Sequence, residues 1–563
     1  MRRNLSFIII ILGLFFMVSC NDYLDTVPGD QYDDAAVWSS PDLIENYVFH
    51  IYQGIPYPYQ WYMSASLVDE AVPVQNDGVV SRVLNSTMTP EEQAAFASNW
   101  ATCMENWWWT SVYTNIRSCN LFFSKIGSAE FTDESSKQQL IGEVHFLRGY
   151  FYYLLMAQYG GIPLIGQVFN IGDNYDIPRN TFAETVDFIV ADLDSAVSED
   201  RLASQSDKTR ATVGAALALK SRVLLYAASD LYNSDGSWAS GYAHPELIGY
   251  VNGSQTDRYQ AARDAAKDVM DLNAYSLYDA YPDPAENFQQ LFLQMSSNEQ
   301  IFITQYDKET DPYYATDWLA WVCGTPSYGG WGLNQVAGNL ANAFENADGT
   351  AFNFDAQKND PYSGRDPRFY ASILYNGAPW YINSWGSLTD TQIDITGADS
   401  NSGNTTGYYI KKFISPSGND YYFGTRQPEP YIQIRYAEVL LNYVEACLGL
   451  GQEKEARDVL DEIRERAGMP DIPDSETGTD LLGRYRNERR VELAWETHRF
   501  FDVRRWMIAA DAYGNATGVT YNGSTYSSFV FEKHAWNNSH YFIPIAYDEM
   551  QKNTALIQNP GYN

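Results

Sequence analysis

The sequence predicts a mainly α protein in which pairs of helices form a scaffold that supports an irregular, loop-rich subdomain. Three observations predict it. Apolar residues recur at helical spacing through residues 40–271 and again through 426–563. Between these blocks, 272–425 is rich in Gly, Pro, Asn, Asp and aromatic residues and keeps neither helical nor alternating order. At 563 residues, the chain is also longer than one hydrophobic core usually serves.

Arg2 and Arg3 precede a run of mostly apolar residues, Phe7 to Val18, and a small Ser19 stands before Cys20. This is the pattern of a secretory signal, residues 1–19, and its apolar run is too short to span a bilayer. Residues 20–39 then read as a tether. The Cys at the cleavage point resembles the lipobox of bacterial lipoproteins, with Met17 where Leu is usual. That resemblance implies cleavage before Cys20 and acyl chains on its sulfur and new amino group. At about 0.8 kcal/mol per buried methylene, several chains hold a folded body on a membrane.

In the first helical block, "QLIGEVHFLRGYFYYLLMAQYGGIPLI" predicts a long apolar helix that stops at Gly160-Gly161 and leaves as an extended segment. "TFAETVDFIVADLDSAV" opens with Thr181 at a cap and Glu184 at the box position. "TRATVGAALALKSRVLLYAASDLY" is Ala-rich and suits close helix packing. In the second block, one helix closes at Gly451 and a partner follows with Ala456, Leu460 and Ile463 facing back. The small residues Ala446, Gly451 and Ala456 resemble a tetratricopeptide hairpin, although no strict 34-residue period runs along the chain.

The chain carries 37 Lys and Arg against 71 Asp and Glu, a net charge of −34. Nucleic acid and anionic lipid faces both demand a basic patch, and none is found, so no nucleic-acid partner is expected. Cys103, Cys119, Cys323 and Cys447 form no CxxC pair and have no His at ligand spacing. On one shared helix, Cys103 and Cys119 would stand about 24 Å apart. No disulfide framework, zinc site or other cofactor is expected. "NADGTAFNFDA" has the look of a calcium loop, but Phe344 sits where the first acidic ligand belongs. No HExxH, GxSxG or GxxxxGK[ST] occurs, and carboxylates are too numerous for a pair to mean glycoside hydrolysis. A binding protein is expected rather than an enzyme.

The triplet Trp107-Trp108-Trp109 spreads over roughly 200° of a helix surface, so the three rings cannot share one core. Trp109, Tyr113, Ile116 and Asn120 fall on one helical stripe, which places Trp109 inward with an amide at the stripe's end to tie down neighbouring backbone. Trp107 aligns with Trp100 on the opposite side and is either a second packed face or an aromatic platform. Trp108 lies between and is assigned to neither.

Seven segments, in order, resemble the SusD/RagB-type surface lipoproteins of Bacteroidetes: "CNDYLD", "WTSVYTNIRSCN", "EVHFLRGYFYYLLMAQYGGIPLI", "SGRDPRFYASI", "YIQIRYAEVLLNYVEA" with "ARDVLDEIRERAGM", "RNERRVELAWETHRFFDVRRW" and "FIPIAYDEMQKNTALIQNPGY". They run from Cys20 to Tyr562. The resemblance implies a SusD-like fold built on tetratricopeptide-like helix pairs. It also implies glycan capture at the cell surface and partnership with a SusC-like TonB-dependent outer-membrane transporter. An alternative within the same reading is a transporter-associated lid for a non-glycan nutrient such as peptides. In "RNERRVELAWETHRFFDVRRW", Arg489, Arg490, Glu492 and Glu496 are expected to pair one helical turn apart, while Leu493, Phe500 and Trp506 pack.

The resemblance places ligand contacts in two regions, Arg82 to Trp108 and "DPYYATDWLAWVCGTPSYGGWG". In the second, Trp318, Trp321 and Trp331 lead, with Tyr328 next. Trp100, Trp107 and Arg82 are candidates in the first. One face of a pyranose is C–H, so laying it on an indole removes about 50 Å² of apolar area from water, roughly 1 kcal/mol. Ring hydroxyls need donors and acceptors, for which Arg82, Asn334 and Gln335 stand near in sequence.

Overall fold

In a computed structural model, residues 34–57, 62–75, 78–97, 108–203, 207–234, 236–305, 318–384, 387–415 and 430–562 are described. The chain is mainly α. Helices α1 (Pro41–Tyr52), α2 (Val79–Leu84) and α3 (Pro90–Ala97) precede the longer α4 (Trp109–Ile126) and α5 (Glu134–Tyr159), and α6 (Phe182–Val197), α7 (Val213–Ala228) and α8 (Gln255–Asp271) follow. Past α9 (Pro284–Leu293) and α10 (Trp318–Cys323) come α11 (Tyr436–Gly449), α12 (Glu453–Arg466), α13 (Thr479–Glu492), α14 (His498–Arg505) and α15 (Tyr547–Lys552). Each long helix lies against the next, from α4 through α8, and α8 then packs on α11, which packs on α12. The two helical blocks of the sequence therefore join into one scaffold.

Local signals set the helix ends. Thr181 and Glu184 form the reciprocal box at the start of α6, each side chain accepting from the other's backbone N–H. α5 stops at Tyr159 because Gly160 turns with φ +79°, and a Cβ there would sit 2.4 Å from the Leu247 carbonyl oxygen. The stripe on α4 packs inward as its spacing requires: Trp109, Ile116 and Asn120 are buried. Asn120 Nδ2 donates to the Ile165 carbonyl at 2.7 Å, and Tyr113 donates to Pro163 at 2.8 Å, which together fix the extended segment after α5. Trp108, just before the helix, is buried as well. Cys103 lies outside the described residues, and Cys119, Cys323 and Cys447 are buried free thiols.

The strands are short: β1 (Ala71–Pro73), β2 (Gln300–Gln305), β3 (Asn334–Val336), β4 (Ile373–Tyr375), β5 (Pro379–Ser384), β6 (Ser387–Gln392), β7 (Tyr408–Ile410), β8 (Pro430–Arg435), β9 (Asn515–Tyr521) and β10 (Tyr526–Lys533). They pair antiparallel as β1–β3, β2–β8, β4–β7, β5–β6 and β9–β10. A second apolar core forms around them. It gathers Phe288, Leu333, Phe369 and Tyr409 from 272–425, and also Tyr57 and Met63 from before it and Trp495, Val519 and Tyr526 from after it.

Buried ions bind this second core to the helices. Arg435, at the end of β8, bonds Glu299 and Glu492 at 2.7 Å and Glu496 at 2.7 Å. Arg466 of α12 pairs with Glu299 at 2.8 Å and also with Glu492. Arg368 joins Asp366 at 2.8 Å, Glu492 at 2.9 Å and Glu488. Arg464 bonds Glu488 at 2.7 Å, and Lys412 bonds Glu496 at 2.7 Å. All of these side chains are buried.

The pairs expected within one helix of "RNERRVELAWETHRFFDVRRW" are therefore corrected. Arg489 bonds Asp502 at 2.9 Å, and Arg490 bonds Asp69 at 2.7 Å. Glu492 and Glu496 reach Arg435 instead. The reason is local: α13 ends at Glu492, and Trp495 and Thr497 take left-handed φ values of 61° and 70°, so Glu496 is not one turn further along the same helix. Leu493, Phe500 and Trp506 are buried as expected.

These ions tie stability to pH. Burial alone raises the Glu445 carboxyl, but Arg505 bonded to it pulls it down to about 2. Burial of Asp69 is likewise outweighed by Arg490 and Arg499, which hold it at about 2. Both carboxylates stabilise the fold above their ordinary values, so stability is expected to fall as pH drops from about 4.5 toward 2. Glu70 has the opposite sign: burial, and then the charge of Asp69, raise it to about 8. The folded chain holds a proton there that the unfolded chain releases, so its contribution declines as pH rises from about 4.5 to about 8. Denaturant titrations from about pH 2 to about pH 9 should show both arms, and Glu70→Gln should flatten only the upper one. An unchanged upper slope in the variant would contradict the assignment.

Candidate ligand-binding site

The β1–β3 ladder pairs residues that flank the two expected regions, since Ala71–Pro73 precede the first and Asn334–Val336 follow the second. Its register sets Ala71 opposite Val336, Val72 opposite Gln335 and Pro73 opposite Asn334. Pairing continues on both sides, with Val74 donating to Leu333 at 2.9 Å and Ala337 donating to Glu70 at 3.1 Å. Because the strands are antiparallel, the chain leaving β1 toward α2 starts beside the chain that enters β3 from Trp331. Arg82 sits in the last turn of α2, partly exposed, with Nε 3.2 Å from the Glu92 carboxylate of α3.

The loop from α10 to β3 is closed on itself. Leu333 donates to Val322 at 2.7 Å, Gly332 to Gly324 at 3.0 Å and Gly330 to Thr325 at 2.9 Å. Gly330 lies so close to its own loop that a Cβ would sit 2.3 Å from the Gly324 carbonyl oxygen. Asp399 holds this loop from outside. Its buried carboxylate accepts from Ser327 N and from Asp394 N, both at 3.0 Å, while its backbone carbonyl accepts from the Tyr409 hydroxyl at 2.6 Å.

On this frame, Trp331 is 39% exposed. Trp318 and Trp321 lie on α10, whose backbone is described and whose tryptophan side chains are not. Trp100, Trp107 and Cys20 fall outside the described residues. Tyr328 is corrected from a ligand contact to a core residue. Only 1% of it is exposed, and its ring leans on Trp380 at 5.7 Å, because the short helical turn Pro326–Tyr328 points it into the second core. Asn334 and Gln335 are also occupied. Asn334 Oδ1 accepts from Ser66 at 2.7 Å and from Met63 N at 3.1 Å, and Gln335 Oε1 accepts from Thr406 N at 2.7 Å. Both are buried and hold the frame rather than a ligand.

Sequence reasoning missed Asp399 and the hairpin β5–β6. Asp399 stands in "GADSNSG", a run that reads as solvated loop, and nothing in its spacing marks it as buried. A groove of about 590 Å³ opens beside the loop, between Ser327, Ile382, Gln392 and Asp394. A larger cleft of about 1040 Å³ lies elsewhere, between α4, residues 163–177 and α15. Among the described residues, no group of three His, Cys, Asp or Glu is placed to hold a metal ion. No described helix is long and apolar enough to cross a membrane.

The chain matches two family models, one described as the SusD family over residues 291–562 and one described as starch-binding associating with outer membrane over residues 22–225. A solved SusD-like protein of Bacteroides fragilis is 30% identical and superposes with a TM-score of 0.78, covering 95% of this chain and all of that one. SusD-like protein P38 of Formosa agariphila is 24% identical over 92% of this chain and 94% of its own length. The surface glycan-binding protein A of Bacteroides fluxus shares the fold at a TM-score of 0.62 and 21% identity, over 93% of this chain and all of its own. The chain belongs to the SusD family.

Proposed function

We propose that this protein captures oligo- or polysaccharide at the cell surface and passes it to a TonB-dependent outer-membrane transporter, without chemistry of its own. The observation that supports the reading is the partly exposed Trp331 on a closed loop, which the β1–β3 ladder ties to the chain leaving β1 at Val74. An indole on a closed loop loses little freedom when a sugar lies on it, and a guanidinium such as that of Arg82 can offer donors to ring hydroxyls. Trp321 and Trp318, about one and two turns before this loop in sequence, and Trp100 and Trp107 are further proposed contacts. The family models and the glycan-binding neighbour support a glycan as the ligand class.

A glycan array identifies the ligand, and calorimetric titration with a bound oligosaccharide then tests the site. Trp331→Ala is expected to weaken binding by about tenfold to more than a hundredfold, equal to about 1–3 kcal/mol, with little change in melting temperature. Tyr328→Ala is expected to lower the melting temperature, since removing a buried aromatic ring costs about 3–5 kcal/mol. Unchanged affinity in Trp331→Ala would remove the loop from the site. A blank array would set aside the glycan in favour of a peptide-type nutrient.

Anchoring through Cys20 and delivery to the transporter are one proposal with one test. Affinity purification of the wild-type chain from solubilised outer membranes should bring down a TonB-dependent transporter, and Cys20→Ala should leave the membrane fraction. Retention of Cys20→Ala in that fraction would contradict the anchor, and a wild-type pull-down without a transporter would contradict the delivery.

A further inference from the structure

We propose that the cleft between α4, the 163–177 segment and α15 is a homotypic docking surface, in which the tip of that segment from a second copy of this chain inserts. The proposal stands apart from the sugar site and does not depend on it. The cleft has an apolar floor of Trp109, Tyr113, Ile165, Ile177 and Leu556 and measures about 1040 Å³. Three of these five side chains are aliphatic, and the floor offers an apolar seat to an aliphatic side chain.

That side chain is present on the same face. Ile171 is fully exposed, and Tyr175 beside it is 48% exposed. The tip is held firmly in this unfavourable display. Asn170 N donates to Asp173 Oδ2 at 2.7 Å, the Tyr175 hydroxyl donates to the Asn170 carbonyl at 2.5 Å, and Gly172 supplies a φ of +98°. Both limbs behind it are fixed, one by Asn120 and Tyr152 on the Ile165 carbonyl and the other by Asn553 on the Ile177 carbonyl. A fixed loop that exposes an isoleucine beside an apolar cleft marks an interaction surface.

Charge favours a second copy as the occupant. The tip carries Asp173 and Asp176 and no cation, whereas the cleft rim carries the exposed Arg117 on α4 and Lys552 on α15. Lys552 already pairs with Glu549 at 2.8 Å and Asp176 is bonded to Thr554 at Oδ1, whereas the exposed Asp173 accepts from Asn170 N at Oδ2 alone and offers Oδ1 to Arg117 across copies. A surface that holds both a plug and its socket satisfies the condition for an isologous two-fold contact, in which each copy fills the other's cleft.

The test uses the full chain expressed in its membrane. Arg117→Cys with Asp173→Cys in one chain is expected to give a disulfide-linked species of doubled mass on a non-reducing gel, while each single variant gives far less. Adding Ile171→Asp should reduce the crosslink about tenfold or more. Independently, sedimentation of the purified chain should show a dimer that Arg117→Asp weakens and that Arg117→Asp with Asp173→Arg restores. A monomer at all concentrations, a dimer indifferent to Ile171→Asp, or a cleft that binds an added aliphatic peptide while the chain stays monomeric would each overturn the proposal.

Discussion

The rest of the structure depends on the buried lattice of ions centred on Arg435. Its guanidinium lies between Glu299, which precedes β2, and Glu492 and Glu496, which follow from α13. Removing these charges from water is expensive, and the cost is offset only when each is paired and its remaining donors and acceptors are bonded. At its centre these conditions are met: Arg435 also donates to the Glu492 backbone carbonyl at 2.8 Å, and Lys412 donates to those of Glu492 and Ala494. The lattice crosses the boundary between helices and loops. Asp366, Arg368 and Lys412 belong to the irregular stretch, whereas Arg464, Arg466, Glu488 and Glu492 belong to the helices.

That fixation passes on to the loop proposed to bind ligand through a second layer of polar contacts. Lys412 and Arg368 secure the segments beside β4 and β7, Tyr409 of β7 donates to Asp399, and Asp399 holds the turn before Trp331. From the other side, Glu70 accepts from Trp495 N at the corner after α13 and from Ala337 N at the end of β3. A site built this way is organised before ligand arrives, so less of the contact energy is lost in ordering it.

How much of this was legible follows from the range of each interaction. The helices, the Thr181 box, the stop at Gly160 and the stripe from Trp109 to Asn120 all rest on residues within a few positions of one another, and each stands as its spacing implied. Partners far apart in sequence were not legible. Glu492 and Glu496 looked like members of a local charge pattern because their true partner, Arg435, lies on another element. The three-residue strands β1 and β3 are too short for alternation to show, yet their pairing ties the Trp331 loop to the chain that leaves β1. Tyr328 looked like one ring among several in a polar loop, and only the turn geometry and Trp380, about fifty residues later, reveal that it points inward. Asn334 and Gln335 were misjudged in the same way, since a buried amide and a solvent-facing one are identical in sequence.

If the lattice joins the two cores, they should open together in the wild-type chain and separately when its centre is removed. Native-state hydrogen exchange read at Phe288, Ile303 and Tyr409 in the second core and at Leu155 and Val223 in the scaffold measures this most directly. The wild-type protein should show one shared opening free energy. Arg435→Met, which takes one cation from each of three buried carboxylates at a cost of about 3–5 kcal/mol, should lower it for the second core well below that of the scaffold. Independent opening of the two cores in the wild type, or an equal loss of protection in both cores of the variant, would contradict the account.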